Sequence, residues 1–186
     1  MLFKWVDYCE KYEEEIETWT GDDDTRRFAT FDDGIKEIHE YYLGISDNYD
    51  GHDYKLNESY FCKVVLEESA PIAVIFILAT EGYPVSINPI IVNPNFRNRG
   101  YCTKIVGELI RNVNKIIGFE RDIFEAGIDL NNKSSIRAFE KAGFILAGIH
   151  KGGDFTYWVY PASELENCRK YYAESMGDDF IVLSTL

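Results

Sequence analysis

No run in this sequence is apolar over the ~20 residues that a membrane-spanning helix needs, so no membrane partner is expected. Cysteine is sparse and scattered: Cys9, Cys62, Cys102 and Cys168 make no CxxC pair, and there are only three histidines. That leaves too few clustered ligands for a structural zinc site, so no metal is expected, and it suits free thiols in a reducing, cytoplasmic setting. Met1 to Lys11 contains Asp7 and Glu10 and has no apolar core, so a secretory signal is not expected. GxGxxG is missing throughout, which removes a dinucleotide-binding oxidoreductase. An excess of positive charge is missing too. The 32 Asp+Glu against 19 Lys+Arg give a net charge of −13, which disfavours nucleic acid as a partner.

What the sequence does have is enough apolar material for the core of one domain: 186 residues, 46% hydrophobic and 15% aromatic. Its acid is unevenly placed. Residues 1–60 hold 17 Asp+Glu against 6 Lys+Arg, and residues 61–186 hold 15 against 13. We therefore read one domain over 1–186, with an acidic helical segment at 1–59, a core at 60–160 and a C-terminal helix and tail at 161–186. An acidic field attracts small cations.

Spacings of three and four through Leu2, Trp5, Val6, Cys9, Tyr12, Ile16 and Trp19 predict a helix over 2–19. Gly21-Asp22-Asp23-Asp24 breaks it, with Asp24 or Thr25 as the next cap. Asp32 or Asp33 would cap a helix through Ile35, Ile38, Tyr41, Tyr42 and Leu43 that stops at Gly44. Residues 46–58 read as a polar loop. Strands are expected at Tyr60–Leu66 and Ile72–Thr80, paired as a hairpin, and at Pro84–Asn93. A helix follows over Gly100–Gly118, buried along Ile105, Val106, Leu109, Ile110, Val113, Ile116 and Ile117. Then come a strand at Ile123–Leu130, a helix at Asn131–Ala142 ended by Gly143, and a hairpin of Phe144–His150 with Phe155–Tyr160. Ser163 would cap a last helix, and Phe180–Leu183 is a further strand or a loose end. The central strand–helix–strand unit requires a parallel pair with a crossover, so the fold class is α/β (α+β), a mixed sheet with helices on both faces.

The stretch that carries chemistry is an apolar strand, a Pro-Asn break, a cationic loop ending at Gly100, and a helix N-terminus. Free N–H groups and the helix dipole make such a junction an anion site. Its pattern, Val92-x-Pro94-x-x-Arg97-x-x-Gly100-x-Cys102, resembles the acyl-CoA signature of the GCN5-related N-acetyltransferase (GNAT) superfamily. A second match lies downstream, Asn132-x-x-Ser135-Ile136-Arg137-x-Phe139-Glu140-Lys141-x-Gly143-Phe144, similar to another helix of that family. The resemblance covers about residues 60–160. The run Ala138–Phe144 also resembles the corresponding helix of aminoglycoside 6′-N-acetyltransferases.

The resemblance implies a mostly antiparallel sheet with a splayed parallel pair, acetyl-CoA (coenzyme A) as cosubstrate, and transfer of its acetyl group to a primary amine by direct attack. It implies cofactor contacts from Ile90, Ile91, Val92, Arg97, Asn98, Arg99, Gly100, Tyr101, Cys102, Thr103, Asn132, Ser135 and Phe139, and an oxyanion donor in the backbone near Val92. Arg97 and Arg99 would add charge at the pyrophosphate, and Gly100 would let the backbone approach it. Phe139 stands where many relatives carry a proton-donating Tyr, so Tyr101 or Tyr157 is the substitute, or none is needed. Cys102 replaces a Gly/Ala, and its place at a helix N-terminus favours a lowered pKa. An amine that is protonated in water needs a proton acceptor, for which Glu81 and Asp129 are candidates. Asp22–Asp24, Asp32, Asp33 and the acids of 47–53, interleaved with Trp19, Tyr41, Tyr42 and Tyr49, suit a cationic small-molecule acceptor, an aminoglycoside or a polyamine. Protein N-terminal or lysine acetylation, and a regulatory acyl-CoA-binding module without turnover, are the alternatives. Monomer and homodimer are both open.

Overall fold

Trp5 and Val6, which local spacing assigns to a helix, belong to a strand. In the computed structural model, which describes residues 1–30, 34–44 and 59–183, β1 (Lys4–Asp7) pairs antiparallel with β2 (Tyr60–Glu67), from Lys4↔Leu66 to Asp7↔Lys63. The pairing runs one bond further, where Tyr8 N–H donates to the Cys62 carbonyl at 3.0 Å. The partner lies far along the chain, so a window of local sequence cannot register it, and tertiary pairing overrides the local preference. The helix is confined to α1 (Glu10–Glu17), after an extended Cys9.

The described chain forms two compact units, one of Met1–Tyr83 with Asn88–Tyr101, the other of Pro84–Ile87 with Cys102–Leu186. In the first, α1 is followed by a 3-10 turn (Thr18–Gly21), by α2 (Asp23–Thr25) and, after a π turn at Arg26–Thr30, by α3 (Ile35–Leu43). The cap of α2 is Asp22, whose carboxylate accepts from Thr25 N–H at 2.9 Å, not Asp24 or Thr25. Gly44 ends α3 in the left-handed region, φ 69°, as its position predicts. Asp32, Asp33, the loop at 46–58 and Tyr49 lie outside the described residues. β2 and β3 (Ala70–Leu78) form the expected hairpin. Ile16, Trp19 and Ile35 pack on Cys62, Val64, Leu66, Val74, Phe76 and Ile91. Trp19 is therefore core, not an acceptor-facing ring.

β4 (Val85–Val92) joins β5 (Phe124–Asp129) in a parallel ladder of two register pairs, Val85↔Phe124 and Ser86↔Glu125. Ile90, Ile91 and Val92 lie beyond it, past Pro89, which has no N–H to give a ladder. The strands run in the order β1-β2-β3-β4-β5-β7-β6-β8, mostly antiparallel with this one parallel pair.

In the second unit α4 (Tyr101–Ile117) buries Ile105, Val106, Leu109, Val113, Ile116 and Ile117; Glu108 is buried as well, and Ile110 only half so. α5 (Lys133–Ala142) is capped by Asn132 and closed by Gly143 at φ 98°. β6 (Ile145–His150) and β7 (Phe155–Tyr160) carry α6 (Leu165–Met176) on one face, where Cys168 and Tyr172 meet Ala147, Val159 and Phe180. Phe139 meets Phe144 edge-on and Phe144 meets Tyr160 at a tilt, with ring centroids 4.9 and 5.8 Å apart. Glu164 occupies the N-cap of α6 after a 3-10 turn, where Ser163 was expected. The tail pairs with β6 through β8 (Phe180–Ile181).

Gly148, at a register shift in β6, fixes how close β8 lies. A Cβ there would sit 2.5 Å from the Phe180 ring and 2.6 Å from the Ile181 carbonyl oxygen. Gly148→Ala is expected to cost about 1–3 kcal/mol by overpacking, read as a lower thermal midpoint. An unchanged midpoint would mean that β8 yields freely.

Candidate active site

The loop between β4 and α4 is braced from beneath. Asn93 is buried; its amide donates to the Pro71 carbonyl at 3.2 Å, and its side-chain oxygen accepts from Asn95 N–H at 3.0 Å. Arg97 reaches the Asp22 carboxylate at 2.6 Å, the Thr25 hydroxyl at 2.5 Å and the Val92 carbonyl at 3.3 Å. Its charge is thus paired with Asp22 inside the protein, while the resemblance implies it at the pyrophosphate. Arg99 is exposed over the Phe96 ring, 5.5 Å from its centroid, and makes no ion pair among the described residues. Asn98 and Gly100 both take positive φ, 60° and 77°. Among the described residues, the backbone N–H groups of Asn98, Arg99 and Gly100 donate no hydrogen bond. Among the described residues, nothing beyond the two chain neighbours lies within 4 Å of where a Gly100 Cβ would stand. Glycine is needed here for its backbone angle and for the open side it leaves, not for want of room. Alternating conformations of this kind gather N–H groups into an anion-holding concavity, and the first turn of α4 follows directly. The arrangement fits a pyrophosphate.

Burial raises the Asp22 carboxyl, but the Thr25 N–H and the Arg97 guanidinium outweigh it, and the net shift is downward. A carboxyl whose folded pKa is depressed contributes stability above its ordinary value and loses it as pH falls through the folded one. Asp22→Ala is therefore expected to cost about 1–2 kcal/mol at neutral pH through the lost cap. Its deficit against the parent should narrow below about pH 4. Urea unfolding at pH 7 and pH 3 reads both.

The other expected contacts each have partners of their own. The Tyr101 phenol donates to the Glu67 carboxylate, which raises its pKa, and its ring touches Phe3 and Phe96. Cys102 is half-buried, and desolvation pushes its thiol up to about 12, the opposite of the lowering expected at a helix N-terminus. Thr103 donates to the Ala138 carbonyl at 3.2 Å. Asn132 spends its side-chain oxygen on the Ser135 N–H at 3.1 Å, leaving its NH₂ without a partner among the described residues. Phe139 is 2% exposed, a core residue. Tyr157 is half-buried against Tyr172, ring centroids 5.1 Å apart.

Of the carboxylates, Glu81 is exposed in the turn beyond β3. Asp129 accepts from the Asn131 N–H at 2.7 Å and so shapes the turn after β5. A third, Glu125, escaped the sequence reading. It alternates onto the same face of β5 as Asp129 and stands at the second and last register pair of the parallel ladder, opposite Ser86. The Tyr172 hydroxyl donates to it at 2.5 Å. Burial raises its pKa above the usual carboxylate range, although hydrogen bonds from Tyr172 and Ser86 pull the other way. In sequence Glu125 reads as the solvent-facing half of an alternating strand. The available clue was the apolar stripe of the last helix, Cys168 and Tyr172, which had to cover some strand face.

A family model for the acetyltransferase (GNAT) domain matches residues 8–145. The chain belongs to the GNAT acetyltransferase family. As an acetyltransferase of that family it uses acetyl-CoA as the acetyl donor to an amine. Among solved structures it is similar to spermidine N-acetyltransferase from Vibrio cholerae in complex with CoA and spermine, with a TM-score of 0.61 and 13% identity over 89% of this chain and 99% of that one. It is also similar to aminoglycoside acetyltransferase AAC(6′)-Ib in complex with coenzyme A and kanamycin, at 0.61 and 17% over 90% and 99%. An acetyltransferase of the GNAT family from Bacillus anthracis gives 0.61 and 17% over 86% and 94%. No curated protein matches the chain. No helix among the described residues is long and apolar enough to cross a membrane.

Proposed function

We propose that this acetyltransferase acts on polycationic small amines of the polyamine or aminoglycoside class. The observation that carries the reading is the placement of acid: 17 Asp+Glu against 6 Lys+Arg in residues 1–60. Two structures of similar fold are named for spermidine and aminoglycoside acetylation, which agrees with that chemistry. The setting is cytoplasmic, where such amines and acetyl-CoA meet.

The N–H groups of Asn98, Arg99 and Gly100 and the first turn of α4, reaching Cys102 and Thr103, hold the pyrophosphate, and Arg99 supplies charge. Arg97 keeps the loop in shape through Asp22. The backbone of Ile90 to Val92 pairs with the amide-rich arm of the donor, and the NH₂ group of Asn132 is available to it. Ser135 and Phe139 support α5 behind that contact. Acetyl-CoA supplies an activated acetyl thioester. As the amine attacks, a C–N bond forms, the C–S bond breaks and the thiolate departs. A thiolate of ordinary pKa, roughly 8.5–10, leaves without a dedicated acid, in keeping with the buried Phe139 and with a Tyr101 already bonded to Glu67.

The amine must lose a proton. Glu125 is the acceptor this reading favours, because burial raises its pKa toward neutrality and Tyr172 fixes its orientation; Asp129 and Glu81 are the alternatives. Mass spectrometry of spermidine and kanamycin incubated with enzyme and acetyl-CoA tests the reading. Gain of one acetyl group on either supports it. Acetylation of peptide N-termini alone would replace it.

A further inference from the structure

Among the described residues, one buried polar atom in the first unit has no partner. Tyr8 is 8% exposed, and its hydroxyl makes no hydrogen bond. A buried hydroxyl without a partner is costly, so its persistence asks for an occupant. The groups around it say what kind. The His39 ring stands 4.9 Å from the Tyr8 ring and its Nδ1 is 2.8 Å from the Tyr60 hydroxyl. Tyr42 stacks on Tyr60 at 5.0 Å, with 19° between planes. His39, Tyr42 and Tyr60 are each half-buried and border solvent, while the Tyr8 hydroxyl lies behind them, so a ligand must part these rings to reach it.

Acid surrounds it. Glu13, Glu17 and Glu40 act on Tyr8, while the cation among them is Lys36, 2.9 Å from Glu13 and 3.9 Å from Glu40. Glu17 accepts the first N–H groups of α3, from Ile35 and Lys36. Burial lowers the pKa of His39, so its ring is neutral and does not repel a cation. An unpaired oxygen, aromatic faces and surplus carboxylate together match an alkylammonium group: the oxygen accepts an N–H, the rings offer their negative faces, and the field favours positive charge.

We propose that the Tyr8 hydroxyl, with the rings of His39, Tyr42 and Tyr60, seats one alkylammonium group of a polyamine-type acceptor. This deepens the polycationic reading and rests on it. The seated ammonium is a second one, not the amine that is acetylated, so the site sets preference for acceptors with at least two cationic groups.

Titration of the whole chain with spermidine, without acetyl-CoA, tests the proposal beside Tyr8→Phe, which keeps the ring. The parent should bind saturably, and the variant about tenfold or more weakly, the loss of one hydrogen bond to a charged group. Propylamine, with one ammonium, should discriminate far less between the two. In the absence of ligand the variant should melt a few degrees higher, because the orphan hydroxyl is gone. Equal spermidine affinity, a lower melting point for a folded Tyr8→Phe, or no spermidine binding by the parent would each overturn the site. Tyr8-dependent binding without acetyl transfer to any amine would sink the enzymatic reading and leave the site. Acetylation of spermidine with an unchanged KM in Tyr8→Phe would do the reverse.

Discussion

Replacing Gly100 by Glu should lower coenzyme A affinity by about 100-fold or more, with the fold retained. Three effects add. The position holds φ at 77°, and a side chain there pays the left-handed penalty of about 1–2 kcal/mol. The space over the missing Cβ is open, so the new side chain meets no obstacle and occupies room beside the loop. It would also bring a carboxylate to the proposed anion site, at a helix N-terminus whose field it would neutralise. Gly100→Ala separates the first effect from the others and should cost no more than about tenfold, the strain alone. Calorimetry with coenzyme A reads both. Because the loop is braced by Asn93 and by Arg97, not by Gly100, circular dichroism should stay unchanged.

Glu125→Gln should lower kcat by about 100-fold, with little change in the affinity for coenzyme A. Gln keeps the size and can still accept from the Tyr172 hydroxyl, so α6 should stay seated. What it loses is the capacity to take a proton. The same group makes a sign-determined stability prediction. A carboxyl with a raised folded pKa binds its proton more tightly folded than unfolded, so its contribution is fully present below the unfolded value of about 4.3 and declines as pH rises through the folded one. Glu125→Gln should therefore gain stability relative to the parent between pH 4 and neutrality, and the kcat loss cannot then be ascribed to unfolding. Asp129→Asn and Glu81→Gln should each cost far less. A larger loss from either would move the proton acceptor there.

The conformation of the loop from Pro94 to Gly100 was legible because its determinants are local. Pro94 ends a strand, Gly100 takes a positive φ, and an amphipathic stripe begins at once, all within a dozen residues. The helix at α5 was legible for the same reason, with Asn132 at one end and Gly143 at the other. What escaped depends on partners distant in sequence. Trp5 and Val6 look helical until β2 is beside them. Arg97 looks like a phosphate ligand until Asp22 claims it. Glu125 looks solvated until Tyr172 covers it, and Tyr8, which falls outside the apolar spacing of the N-terminal segment, draws no notice until its buried hydroxyl is found without a partner among the described residues. The opposite error occurred at Cys102, where a rule about helix N-termini lost to desolvation.

The most direct test of the account is thiol release from acetyl-CoA measured across spermidine, spermine, an aminoglycoside, a monoamine and a peptide with a free N-terminus. The polycations should give a kcat/KM about tenfold or more above the monoamine, about 1.4 kcal/mol of additional transition-state binding from the second charge. A peptide N-terminus preferred over every polycation would contradict it.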